Sequence, residues 1–197
     1  MTISSVKTGA IGDSLLAGNA AFIPTSFESI ATATGTGSES TITFSSIPQT
    51  YQHLQIRCLA KDADTSGTAT VDYGGIIINS DFGSNYRWHR LNGNGTSATA
   101  TAAASATTRA RGFAMPYGDT TSYGVSIIDI HDYASTTKNK TIRTFAGGDL
   151  NSGTTTSNLI LASSLWMDTS AITSISLERI ASTFASGSVI SLYGIKA

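Results

Sequence analysis

The sequence predicts an all-β protein, a jelly-roll-like antiparallel β-sandwich preceded by an extended N-terminal arm. Short runs of alternating apolar and polar residues recur at intervals of roughly 10 to 18 residues, with turn residues between them, which indicates about nine or ten strands. No segment carries a convincing apolar stripe at helical spacing. Ser and Thr make up 57 of the 197 residues, and Thr favours strands. We therefore expect a two-sheet sandwich rather than a βαβ fold.

Residues 1–25 are expected to form the arm, and residues 26–197 the sandwich domain. The arm mixes Gly, Ala, Ser and Thr with isolated apolar residues and closes at Pro24. Because such a segment buries little surface on its own, we expect it to lie on another subunit or another protein. It lacks the basic start and apolar stretch of a signal peptide. The candidate anchor residues of the arm are Ile11, Leu15, Leu16, Phe22 and Ile23.

The first half of the domain contains the clearest strand pattern. In the run from His53, alternation places His53, Gln55 and Arg57 outward and puts Cys58 on the apolar phase, so this single cysteine is expected in the core. Two consecutive glycines, Gly74-Gly75, interrupt a later run and predict a bulge or bend. The strands predicted in this half are Phe27–Ala33, Ser40–Phe44, His53–Ala60, Thr70–Asn79 and Asn85–Leu91.

The segment Thr96–Gly112 is of low complexity and allows more than one structure. Its Ala/Thr alternation fits an edge strand or an exposed loop, while the interleaved Thr and Ser make a short helix the least favoured alternative. Regular strand patterns then resume. The predicted strands are Tyr123–His131, Thr141–Ala146, Ser157–Trp166, Ile172–Ile180 and Ser188–Lys196.

The charge content limits the classes of partner. The chain has 12 Lys and Arg against 13 Asp and Glu, and charged residues make up 13% of it, where soluble proteins average about 25%. No basic field is available for nucleic acid, and no apolar run approaches the ~20 residues of a membrane helix. A polar but uncharged surface suits symmetric contacts between subunits. The alternative is a β-rich chain that simply uses Thr for its propensity.

Gly12-Asp13-Ser14-Leu15 matches the nucleophile block of the GDSL esterases. That chemistry also needs a Gly-x-Asn-Asp block and a late Asp-x-x-His to activate the serine. The sequence contains no Gly-x-Asn-Asp, and no histidine follows His131. We therefore interpret the motif as a turn in the arm and expect no enzymatic activity.

Asp129 and His131 lie two residues apart on a predicted strand, so they share one face. A metal site needs three or four converging ligands, and His53 and His89 lie in separate strands with no sequence reason to meet them. A hydrogen-bonded strand end is the favoured interpretation. No metal or other cofactor is expected.

Tyr86, Trp88 and Trp166 are the aromatic residues that would suit a sugar-binding platform. Large aromatic side chains in a sandwich more often belong to the core, which is the favoured interpretation here. Tyr86 and Trp88 remain the candidate glycan contacts.

Several long phrases resemble structural proteins of aquatic bacteriophages, including phages of cyanobacteria. They are SFESIATATGTGSESTITFSSIPQTYQHLQIRCLAKD from Ser26, then NYRWHRLNGNG, SIIDIHDYAST and the closing ITSISLERIASTFASGSVISLYGIKA. The resemblance covers most of the chain, including the arm segment IGDSLLAGNAAF.

The resemblance implies a virion structural protein and no catalytic residue. Within that group we expect a capsid decoration, or cement, protein on the capsid surface, bound to the major capsid protein through its arm and assembled with its own copies, as a trimer. The alternative is a receptor-binding tail-fibre or tail-tip protein that recognises a host glycan through Tyr86 and Trp88.

Overall fold

The computed structural model describes residues 26–118, 121–150 and 157–196. All regular secondary structure in these ranges is β-strand, which confirms the predicted all-β class. No helix in these ranges could cross a membrane. The strands are β1 Phe27–Thr34, β2 Thr41–Phe44, β3 His53–Ala60, β4 Thr70–Ile78, β5 Tyr86–Gly93, β6 Ala98–Ala102, β7 Ala110–Tyr117, β8 Gly124–His131, β9 Lys140–Gly148, β10 Asn158–Trp166, β11 Ile175–Glu178 and β12 Val189–Ile195.

Two antiparallel sheets of unequal size form the sandwich. The large sheet has eight strands in the order β1-β12-β3-β8-β9-β10-β5-β6, and the small sheet has four in the order β2-β11-β4-β7. Every strand pair is antiparallel. Because the small sheet has half as many strands, it covers only part of the large one.

The core lies between the sheets and follows from alternation along the strands. In β3, Leu54, Ile56, Cys58 and Ala60 are buried while the residues between them are more exposed, as the sequence predicted. The other sheet contributes the facing residues. Its largest buried apolar side chains include Phe44, Ile76, Ile78, Phe113, Met115, Ile175 and Leu177.

The predicted irregularity at Gly74-Gly75 is confirmed as a register shift between Tyr73 and Gly75, where β4 pairs with β7. The ring of Phe113 fills the space beside Gly74, so a Cβ at that glycine would overlap it. A glycine is required here because an aromatic side chain packs directly on the backbone.

The ambiguous segment Thr96–Gly112 contains two strands. Its first part is β6, an edge strand of the large sheet with every residue exposed, so the edge-strand alternative is confirmed. Its last residues begin β7, which the sequence analysis missed. Most of β7 is buried without alternation and it contains Pro116, which an edge strand of the small sheet can accommodate.

Polar side chains join the sheets where β7 crosses the large sheet. Ser126 Oγ accepts a hydrogen bond from Ala114 N at 3.0 Å, and Ser164 Oγ donates to Arg111 O at 3.2 Å. These bonds satisfy backbone groups on the β7 edge that has no neighbouring strand. They also fix the position of Arg111 over β10.

Candidate interaction surface

The outer face of the large sheet exposes a cluster of large apolar side chains, which we call the apolar face. Each of its seven members is between 37% and 58% exposed. They come from five strands, β3, β5, β8, β9 and β10. The members are Leu59, Leu91, Val125, Ile127, Phe145, Leu159 and Leu161.

The strand register makes these side chains neighbours. Leu161 lies directly opposite Leu91 on one side and Phe145 on the other, and Phe145 lies opposite Ile127. Residues directly opposite in an antiparallel pair have Cβ atoms about 4.5–5.5 Å apart on the same face. The apolar face is therefore continuous across β5, β10, β9 and β8.

A second row follows the same strands and contains two glycines. Leu159 lies opposite both Gly93 and Gly147, and Val125 lies opposite Gly147 and Leu59. The glycine at the centre of this row leaves a hollow of about 500 Å³. Apolar side chains at its border include Val125, Ile127, Phe145 and Leu159.

A further hollow of about 490 Å³ lies where β6 meets the face, between Leu91, Leu161 and the alanines of β6, with His89 and Arg143 at its border. Exposed apolar surface with two recesses and a polar border is typical of a surface that another protein covers.

Charged groups border the apolar face. Asp129 accepts hydrogen bonds from Arg143 Nη2 and Gln55 Nε2, each at 2.9 Å. Partial burial opposes ionisation of Asp129, but these two donors outweigh it and hold its pKa below the usual value. Arg57 lies over the rings of Phe27 and Tyr193 at 5.2 and 5.5 Å. Because Arg57 lies directly opposite Ile127, it ends one row of the apolar face, and the pair of Asp129 and Arg143 lies in the next row along the strands.

Asp129 and His131 share the outer face, as alternation predicted. The structure also places His53 directly opposite His131, with ring centroids 4.7 Å apart, so the expectation that nothing brings these strands together is wrong. His53 Nδ1 accepts a hydrogen bond from Asp132 N at 3.0 Å. No group of three or more potential ligands that could hold a metal ion occurs among the described residues.

The two candidate glycan contacts lie in different environments. Tyr86 is fully buried, and its hydroxyl bonds to Ile78 N at 3.0 Å and to Asp81 O at 3.1 Å, so its ring is not presented to a ligand. Trp88 is half-buried, and the guanidinium carbons of Arg90 and Arg111 each lie 5.6 Å from the centre of its ring.

The candidate arm residues Ile11, Leu15, Leu16, Phe22 and Ile23 lie outside the described residues, as does the Gly12–Leu15 motif. The apolar face was not predicted from the sequence. A signal was present, because Ile127-Ile128 and Leu159-Ile160-Leu161 place apolar residues on both phases of a strand, a pattern typical of strands covered on both sides.

Comparisons of the chain with known protein families, with curated proteins and with solved structures find no match.

Proposed function

We propose that this chain is a structural protein of a bacteriophage virion, a capsid decoration protein that binds the major capsid protein and associates with its own copies. Two observations support the proposal. The sequence phrases listed above resemble phage structural proteins over most of the chain, and the apolar face offers a surface for assembly.

The apolar face is the observation that best supports association between copies of the chain. Fully burying a Val, Leu, Ile or Phe side chain contributes about 1.5–3 kcal/mol, so covering the exposed half of seven such side chains would contribute roughly 5–10 kcal/mol. Association costs a comparable amount, about 4–15 kcal/mol. One such contact is therefore weak by itself, and a closed trimer, in which each copy makes two of these contacts, raises the effective affinity.

A second copy of this chain is the occupant that we assign to the apolar face. The net charge of -1 gives copies little reason to repel one another, and desolvating hydroxyl-rich surface around the face costs less than desolvating unpaired ions. Three copies that direct this face toward a common threefold axis would remove it from water, in accord with the expected trimer.

The arm is the segment proposed to hold the capsid. If Ile11, Leu15, Leu16, Phe22 and Ile23 anchor it, Leu15→Asp should abolish capsid attachment and leave the domain folded. Circular dichroism tests the folding, and co-sedimentation with undecorated capsids tests the attachment. Normal decoration by this variant would refute the role of the arm.

Immunogold labelling of intact virions, with antibody raised against residues 26–197, tests the location. Gold spread over the head is the expected result. Gold confined to the tail would refute the decoration role, and absence of the protein from purified virions would refute the virion assignment altogether.

The tail-fibre alternative keeps one specific observation in its favour. Trp88 has an indole that is only half-buried, beside two arginines, in a position to contact a sugar. A glycan array probed with the full chain tests sugar binding, and immunogold labelling confined to the tail is the result that would distinguish this function from capsid decoration.

A further inference from the structure

Two arginines on facing strands lack a carboxylate partner. Arg90 on β5 and Arg111 on β7 form no ion pair with any carboxylate of the described residues. The neighbouring Asp72 is bonded to Arg179 Nη1 at 2.8 Å, and the neighbouring Arg109 has Glu178 at 3.0 Å. The local charge is therefore positive.

Aromatic rings hold these two arginines in place. The guanidinium carbon of Arg90 lies 4.0 Å from the ring centre of Tyr73 and 5.6 Å from that of Trp88, and Arg111 approaches Trp88 at 5.6 Å. Stacking on rings orients a guanidinium while leaving its N–H groups free to donate. Burial and the like charge of Arg90 both lower the pKa of Arg111, which reflects the cost of keeping both cations there.

Hydrogen-bonding capacity is left unused on the same side of β5. Arg90 Nε and Asn92 Oδ1 are buried atoms without a hydrogen-bond partner in the structure. They lie two residues apart on β5, on the side that faces away from the apolar face. Buried polar atoms are normally paired, so these two atoms are unusual, although neither residue lines the hollow described next.

A hollow of about 330 Å³ opens beside this cluster. It is lined by Trp88, Arg111, Thr107, Thr108, Arg109 and Ile180. Its volume lies near the lower end of ligand sites, which suits one sugar ring with its substituents. The lining combines an aromatic side chain, a guanidinium and two hydroxyl groups, which are the groups that recognise a sugar ring bearing a carboxylate.

We propose that this hollow binds a carboxylate-bearing sugar residue of an acidic polysaccharide, with Arg111 paired to the carboxylate, Arg90 supporting the positive field and Trp88 against the ring. The inference is independent of the decoration function, because the hollow lies on the opposite side of β5 from the apolar face.

Isothermal titration of the full chain tests the site, with trigalacturonate as the probe and with galactotriose and inorganic sulfate as comparison ligands. We expect trigalacturonate to bind, to bind more weakly as salt concentration rises, and to exceed both comparison ligands in affinity. Equal binding of sulfate, equal binding of galactotriose, or no binding of trigalacturonate at millimolar concentration would overturn the proposal.

Variants assign the binding to this cluster. Arg111→Gln should weaken trigalacturonate binding about 10- to 100-fold. Arg111→Lys keeps the charge but lacks the planar guanidinium, so its affinity should lie between those of Arg111→Gln and the parent. Arg87→Gln is the matched control, since Arg87 is an exposed arginine on the opposite side of β5. Circular dichroism must show that each variant is folded. An equal loss of affinity in Arg87→Gln and Arg111→Gln would refute the assignment.

Discussion

The indole Nε1 of Trp166 donates a hydrogen bond to Oδ2 of Asp81 at 2.8 Å. The same carboxylate accepts from Asn85 Nδ2 at 2.9 Å and from Gly83 N at 2.8 Å. Asp81 thereby connects the end of β10 to the loop between β4 and β5, where the chain passes from the small sheet to the large one. Because Trp166 is 1% exposed, this bond is shielded from water.

Trp166→Phe should lower the free energy of unfolding by about 1–3 kcal/mol, since it removes the donor and part of a buried ring while leaving a partly exposed carboxylate with one partner fewer. Urea denaturation followed by circular dichroism measures this loss. Trp88→Phe is the matched control, because that indole is only half-buried. An equal or larger loss in the control would contradict the importance of the Trp166–Asp81 bond.

Asp81 should make stability depend on pH. Burial opposes ionisation of its carboxyl group, but donation by Trp166, Asn85 and Gly83 outweighs burial and lowers its pKa from the ordinary value of 3.8. A group with a lowered pKa in the folded state stabilises the fold above the unfolded value, and that contribution is lost as pH falls through the folded pKa. The free energy of unfolding, measured by urea denaturation between about pH 5 and pH 2, should therefore fall less steeply with decreasing pH for Asp81→Asn than for the parent. Identical pH slopes would exclude this role.

Gly74→Ala should destabilise the fold by about 1–3 kcal/mol, because the added methyl group overlaps the buried ring of Phe113. Combining it with Phe113→Leu should cost less than the sum of the two single changes, because the smaller side chain leaves room for the methyl group. Gly93→Ala is the matched control, since nothing lies within 4 Å of a Cβ at that strand glycine. Denaturation midpoints of the four variants test the prediction, and strict additivity would contradict it.

Phe145→Asp should shift the full chain from oligomer to monomer in light scattering after size exclusion, because it places a charge in the middle of the apolar face. Phe82→Asp is the matched control, since Phe82 is 60% exposed and lies in the loop between β4 and β5, outside that face. If both variants keep the oligomeric state of the parent, the second copy is not the occupant of the apolar face.

Cys58 should react with a thiol reagent only when the sandwich opens. It is 2% exposed on β3, and burial raises the pKa of its thiol, so little thiolate is present in the folded state. Since it is the only cysteine, its labelling rate in the chromogenic disulfide reagent DTNB should follow global unfolding and rise with urea concentration. Fast labelling without denaturant would place Cys58 in a locally mobile part of the sheet.

The local sequence pattern was sufficient to predict a strand where one face of that strand is exposed to solvent and the other is buried. The bounds of β3 were predicted without error because polar and apolar residues alternate through His53–Ala60. β7 was missed because burial of nearly all its residues removes that alternation, and because Pro116 argues against a central strand. β11 is shorter than predicted, since the chain around Ile172–Ser174 is held by loop hydrogen bonds, among them one from Ile172 N to Tyr133 O.

The arrangement of the candidate interaction surface depends on which strands are neighbours in the sheet, and a local sequence pattern does not show this. The contact between His53 and His131, and the row from Leu91 to Ile127, exist because particular strands are neighbours in the sheet. Periodicity assigns a residue to a face, but it does not assign the neighbouring strand. Tyr86 and Trp88 lie two residues apart and share the inner face of β5, so alternation does not predict that Tyr86 is fully buried while Trp88 is only partly buried.

β12 lies between β1 and β3 in the large sheet, and Thr32 meets Ser191 across a separation of 159 residues. Until Val189–Ile195 leave the ribosome, β1 has no neighbour and β3 has an open edge, so a nascent chain cannot complete this sheet. Folding must therefore wait for the last strand and proceed through long loop closures, which makes it slow and makes incomplete chains prone to aggregation. Loss of β12 by truncation should consequently yield insoluble protein rather than a smaller domain.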